Sequence, residues 1–170
     1  MSELAALQAR LQAFESQQAI RVCINRYMAL CDRLDADTPL DELAGLFTRE
    51  ALWEGKGAKY ANSFGGYRGR EAIRDMFATY MKPPAHFALN VHFLTSEVIQ
   101  VDGERGEGQW VMLQTSTFAS GASHLNAAQL RVAFALEEGQ WRMAHFTTEN
   151  LFSRPVSGWN SEAALPVPGK

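Results

Sequence analysis

Cysteine is scarce in this chain: there are two among 170 residues, Cys23 and Cys31. Both fall in one helical stretch, and eight residues at helical rise set them roughly 12 Å apart, beyond the reach of a disulfide. There is no Cys-x-x-Cys and no Cys/His set with zinc spacing, so no metal site is expected and both thiols read as packing groups. A reducing, cytoplasmic setting fits this usage. Long apolar runs are also missing, and nothing approaches the roughly 20 residues of a membrane-spanning helix. Residues 1–21 are interrupted throughout by charged and polar residues, without the continuous apolar segment and small-residue cleavage site of a secretory signal. Positive charge is not in excess: 16 Lys and Arg against 19 Asp and Glu leave a net charge of −3. The two signs are mixed along the chain, which argues against a nucleic-acid partner.

What remains is an ordinary globular composition. Hydrophobic residues make up 46% of the chain and aromatics 11%, enough for one domain with a real core. Residues 3–35 read as one helix, with Ile20, Cys23, Ile24, Tyr27, Cys31 and Leu34 on an apolar face that Leu4, Leu7, Leu11 and Phe14 continue. Asp37-Thr38-Pro39 breaks it. A short helix follows over Leu40–Leu46, with Thr38 as its expected N-cap, and then a strand over Phe47–Trp53. The glycine-rich turn Ser63–Gly69 lacks the Gly-Lys-Ser/Thr ending of a phosphate loop and leads into a helix over Arg70–Met81, stopped by Pro83-Pro84. Four long strands are expected next, over His86–Val101, Glu107–Ala119, Leu125–Glu138 and Gln140–Phe152. Asp102-Gly103, Ser120–Ser123 and Glu138-Gly139 mark the hairpins. Helices followed by a strand meander predict an α+β domain, residues 1–152, with helices on one face of a curved antiparallel sheet. Residues 153–170, rich in Pro and Gly, read as an irregular tail.

Polar residues collect in two places. Ile24, Met28 and Asp32 form one row along the first helix, and Tyr27 lies about 140° from Asp32 at about 100° per residue. The two can flank one pocket, although Asp32 reads equally as a solvated carboxylate in a fraying last turn. On the first long strand Phe87, Leu89, Val91 and Phe93 read as core. The other side carries His86, Ala88, Asn90, His92 and Leu94, and a polar group buried there needs a partner. His92 alone fits a satisfied core histidine or a surface one. His86 reads as structural and His124 as solvent-exposed. Trp53, Trp141 and Met143 need no role beyond packing, and alternation puts His145 on the same face as Met143.

Taken in order, Tyr27-x-x-x-x-Asp32, Phe47-Thr48-Arg49-Glu50-Ala51-Leu52-Trp53, Tyr67-Arg68-Gly69-Arg70-Glu71-Ala72-Ile73, His92 to Gly103 and Glu138-Gly139-Gln140-Trp141-Arg142-Met143 resemble the SnoaL-like group of the nuclear transport factor 2-like (NTF2-like) superfamily. The resemblance spans about residues 10–152. It implies a cone, in which a strongly curved, mostly antiparallel sheet wraps around three to four helices and an apolar pocket opens between them. It also implies an Asp–His pair in that pocket, as in the dehydratases and dehydrochlorinase of the superfamily's enzyme branch. By position the pair falls on Asp32 and His92, with Tyr27 as a hydrogen-bonding acid and Trp53, Asn90, Trp110 and Phe146 as substrate-binding residues. The implied activity is a cofactor-independent lyase or isomerase acting on a hydrophobic, cyclic small molecule, in a homodimer or homotrimer. The alternative is a non-catalytic cone, either a small-ligand-binding module or a structural subunit like the small subunit of ring-hydroxylating oxygenases. The second pocket histidine of scytalone dehydratase has no counterpart, since the matching strand carries Gln109, Trp110 and Gln114.

Overall fold

The computed structural model describes residues 2–60 and 65–157. Helix α1 spans Glu3–Arg33, α2 Leu40–Gly45 and α3 Arg70–Tyr80. The strands are β1 (Phe47–Lys56), β2 (Gly66–Arg68), β3 (Phe87–Asp102), β4 (Arg105–Phe118), β5 (Ser123–Glu137) and β6 (Gln140–Val156). They form one mixed sheet in the order β2-β1-β6-β5-β4-β3, parallel at β1–β6 and antiparallel elsewhere. The α+β expectation holds. The short β2 was hidden in the glycine-rich turn, whose Ser63–Phe64 part lies outside the described residues.

The core lies between the sheet and the second half of α1. Ile20, Ile24, Tyr27 and Met28 pack against Met112, Leu130, Val132, Phe134, Met143 and Phe146, all nearly inaccessible. Helix α3 adds Ile73, Met76 and Phe77 to the same core. The Glu138-Gly139 hairpin forms as expected: Glu137 pairs with Gln140, and both loop residues have positive φ, +54° and +74°. That is the backbone combination a two-residue turn of this twist requires.

Five local expectations change. Leu4, Leu7, Leu11 and Phe14 do not continue the core-facing stripe but stand 53–66% exposed, because their phase runs roughly half a turn from that of Ile20, Ile24 and Tyr27 at about 100° per residue. Thr38 does not cap α2, which begins after Pro39 without a side-chain cap. Its hydroxyl instead accepts from the Asp35 backbone N–H at 3.0 Å and donates to Asp35 Oδ1 at 3.0 Å, closing the turn on itself. On β3 the core face is the polar one: Asn90 is buried, whereas Leu89 and Phe93 on the other side are 44% and 50% exposed. On β6 a bulge gives Ala133–His145 and Phe134–Met143 pairing, so parity flips between Met143 and Phe146. Both of those residues are buried, and His145 turns outward to Glu54 Oε1 at 2.8 Å. Finally, β6 runs on through Val156, so residues 153–156 are strand. Its pairing to β1 ends at Glu149, so beyond that point one side of β6 is an open edge, the kind of position at which a strand tolerates a proline such as Pro155. Residues 158–170 of the predicted tail, Trp159 included, lie outside the described residues.

A second bulge, on β3 between Thr95 and Val98, holds Ser96 at φ +54° and brings Glu97 toward α1. There the carboxylate accepts from Arg21 Nε and Nη2 at 2.8 and 2.6 Å and from Trp110 Nε1 at 3.2 Å. The hydrogen bonds from Arg21, against some cost of burial, hold the Glu97 carboxyl below the usual carboxylate range. A lowered folded-state value means stability that is present above the unfolded value and lost as pH falls through the folded one. Glu97→Gln is therefore expected to cost about 0.5–1 kcal/mol near pH 7, the scale of a partly exposed ion pair. The deficit should shrink below about pH 4. Urea unfolding of both proteins between pH 3 and pH 8 checks this, and a pH-independent difference would contradict it.

Candidate active site

The site forms where β3, an edge strand, lies against the last turn of α1. Asn90 Nδ2 donates to the Cys31 carbonyl at 3.1 Å, satisfying one of the acceptors a helix end leaves open. Two residues on, Asp32 Oδ1 accepts from both the backbone N–H of His92, at 2.9 Å, and its ring Nδ1, at 2.6 Å. A carboxylate only accepts, so in the neutral imidazole the proton lies on Nδ1 and the other ring nitrogen, Nε2, carries the lone pair. The His92 side chain is 10% exposed and that of Asp32 28%. His92 lines a cavity of about 390 Å³ that opens between the helices and the concave face of the sheet.

Across the cavity stands an aromatic wall. Trp53 stacks on Phe146 with centroids 5.8 Å apart and planes at 6°. Its Nε1 donates to the Tyr27 hydroxyl at 3.0 Å. The Tyr27 ring meets Phe146 at 5.1 Å and Phe47 edge-on at 5.6 Å. Burial raises the Tyr27 hydroxyl well above the ordinary phenol range, so it stays protonated and offers a hydrogen bond rather than a mobile proton. Burial likewise pushes the Cys23 thiol up to about 12 and raises that of Cys31. Neither presents a thiolate at neutral pH, and both are 5% exposed. We expect no reaction with a thiol reagent such as Ellman's in the native protein and two equivalents after unfolding. Fast labelling of the native protein would contradict this packing.

A third feature was not read from the sequence. Side-chain amides cross four strands in one direction. Asn150 Nδ2 donates to Asn126 Oδ1, and Asn126 Nδ2 donates to Gln114 Oε1 at 3.3 Å. Gln114 Nε2 then donates to Asn90 Oδ1 at 2.9 Å, which also accepts from Ser116 Oγ at 2.7 Å. All of these residues line the cavity. Of these four amides, the side-chain carbonyls of Asn90, Gln114 and Asn126 accept within the network, and among the described residues Gln114 and Asn126 each retain an N–H outside it. The only signal in the sequence was polar residues at inward positions of successive strands, and strand register was needed to connect them.

Of the site residues expected, Tyr27, Asp32, Trp53, Asn90, His92 and Phe146 all meet around this space; Asp32 reaches it through His92. Asn90 is spent on its protein partners. Trp110 is not among the lining residues; it is 1% exposed and lies toward the Arg21 end of α1, its ring over Gly108 and its Nε1 on Glu97. His124 is half-buried rather than exposed, with Nδ1 3.2 Å from Ser153 Oγ and its ring against Phe118 at the cavity rim.

A curved, unclosed sheet filled by a long helix, with a cavity under the helix end, is the architecture of the NTF2-like, cystatin-like proteins. The chain belongs to the SnoaL-like domain family within them, the family model matching residues 12–147. Among solved structures it is similar to an NTF2-like protein with a cystatin-like fold from Novosphingobium aromaticivorans, at 22% identity and TM-score 0.71, covering 89% of this chain and 92% of that one. It is also similar to the hexachlorocyclohexane dehydrochlorinase LinA-type3 of Novosphingobium barchaimii, at 18% identity and TM-score 0.71, with 89% and 97% covered. A third relative, designated a candidate scytalone dehydratase of N. aromaticivorans, has 18% identity and TM-score 0.70, with 92% and 96% covered. At these identities the likeness concerns the fold. No curated protein matches the chain by sequence. Among the described residues no helix is long and apolar enough to cross a membrane.

Proposed function

We propose that this protein is a lyase or isomerase that removes a proton from carbon in a hydrophobic, cyclic small molecule, using its own side chains. The observation that carries the reading is the 2.6 Å contact of Asp32 Oδ1 with His92 Nδ1 on a ring that lines the cavity. It leaves Nε2 as the base, fixes the ring's orientation and places a negative charge beside the imidazolium that forms. The dehydratase and dehydrochlorinase neighbours support a lyase-type reaction. Trp53, Phe146 and Tyr27 supply a flat apolar wall for a ring, and the spare N–H groups of Gln114 and Asn126 suit a ring oxygen, hydroxyl or carbonyl. With a carbonyl next to the reacting carbon, proton loss gives an enolate. That intermediate either expels a β-hydroxyl, which leaves as water with the proton that the His92 imidazolium returns, or takes that proton back at another carbon of a conjugated system.

The test is to incubate the protein in D2O with a panel of cyclic ketones and hydroxyketones and to follow loss of α-proton signals and appearance of new double bonds by NMR. Exchange or elimination with at least one compound, well above the buffer rate, is the expected result. No exchange with any compound, alongside saturable quenching of tryptophan fluorescence by the same compounds, would replace this reading with that of a binding module.

A further inference from the structure

The first half of α1 carries an apolar seam that the described residues of its own domain leave uncovered. Leu4, Leu7, Leu11 and Phe14 are 66%, 53%, 58% and 63% exposed. Their spacing of three, four and three residues is that of a coiled-coil seam, with Leu4 and Leu11 at a positions and Leu7 and Phe14 at d positions. The stripe that packs on the sheet begins at Ser16 and Ile20 and lies roughly half a turn away at about 100° per residue. Val22, Asn25 and Ala29, farther along the outward side, are exposed as well. A second helix laid on the seam therefore meets none of the described residues of this domain, and the two domains would sit on opposite flanks. A free helical arm of this length is marginal in water unless its apolar face is covered.

We propose that the seam pairs with that of a second copy of this chain as a short parallel, in-register coiled coil. The charges decide the partner and its direction. Arg10 stands at a g position and Glu15 at the following e position, both exposed. In a parallel pair, g faces the e of the next heptad on the partner, so each Arg10 meets the second copy's Glu15, twice by symmetry. Glu3 and Gln8 repeat the relation one heptad earlier. The antiparallel register that keeps all four apolar layers would set Arg10 against Arg10. The narrow, two-in-seven stripe also fits a helix better than the flat outer face of a sheet.

Sedimentation equilibrium on the full chain tests this, with circular dichroism as the check on folding, since every substituted residue is exposed. The wild type should dimerise, and Leu11→Asp should raise the dissociation constant by more than about 100-fold. Glu15→Arg should raise it about tenfold by opposing two like-charged pairs, and the double variant Arg10→Glu/Glu15→Arg should restore it. Leu7→Cys should form a covalent dimer on mild oxidation, because position 7 faces position 7 only in the parallel register. The exposed apolar residues of the sheet's outer face, such as Phe93 and Leu151, offer another route to association. A dimer or trimer indifferent to Leu11→Asp would overturn the proposal in favour of that face. A strictly monomeric wild type, failure of the charge swap to rescue, or cross-linking only between Leu7→Cys and Leu11→Cys chains would also overturn it.

Discussion

His92→Asn is expected to slow α-proton exchange by about 10³-fold while leaving the fold intact, since general-base groups contribute on that scale. The substitution removes the only imidazole nitrogen directed by Asp32 and keeps the backbone N–H that ties β3 to α1. Asp32→Asn is the more discriminating variant. Its amide oxygen can still accept the His92 backbone N–H, so the strand stays docked, but the charge that stabilises the imidazolium is gone. An amide can also donate to Nδ1 and so select the tautomer with its proton on Nε2, where the base should be. A loss of about 10²–10⁴-fold follows from those two effects. Asp32→Ala would confuse the result, because it strands a partly buried N–H and costs roughly 1–3 kcal/mol of stability. Exchange rates by NMR in D2O, with a thermal melt of each variant, make the measurement. Equal rates in wild type and both variants would remove the pair from the chemistry.

The largest effect on stability is expected at Gly108→Ala. Gly108 lies on the inward face of β4, and the Trp110 ring, two residues on, folds flat over it. A Cβ built there falls within the Trp110 ring atoms, closer than any real contact. The ring cannot swing away cheaply, since it is 1% exposed, packs edge-on against Phe134 at 6.4 Å and holds Glu97 through Nε1. Strain and repacking should cost about 2–4 kcal/mol. In a Trp110→Leu background the same glycine substitution should cost far less, because the obstruction has gone, so the two changes should be strongly non-additive. Urea unfolding of the four proteins of the cycle checks it, and additivity within about 0.5 kcal/mol would show that the ring does not constrain position 108.

Some of this was legible in the residues alone. Element type and order followed from period and turn chemistry, which are local: α1 from its 3.6-residue repeat, the hairpins from Asp102-Gly103 and Glu138-Gly139, the stop at Pro83-Pro84. Side assignment failed where one residue changes everything. The bulge at Ala144 flips His145 to the outside, and the sidedness of β3 is set by α1 docking on its polar face, so an apolar row of Leu89 and Phe93 ended in solvent. For Leu4 to Phe14 the signal was in the sequence: at about 100° per residue they lie roughly half a turn from Ile20, Ile24 and Tyr27, so they cannot share the stripe that packs on the sheet. Asp32 and His92 are implied only by the family resemblance, and their separation of 60 residues is beyond any local rule.

By itself the sequence determined the inventory: an α+β chain with Asp32 in the last turns of its first helix, four long strands and no metal-ligand spacing. It also supplied the aromatic and amide side chains that the cavity uses, because period, propensity and turn preference act over a few residues. Only the tertiary structure decided the rest. It set which ring nitrogen Asp32 holds, that four amides join into one ladder, that Trp110 serves the core and not the cavity, and that half of α1 stands uncovered. Each of these depends on strand register and on one element's position against another. Those are fixed by the packing of the whole chain rather than by any stretch of it.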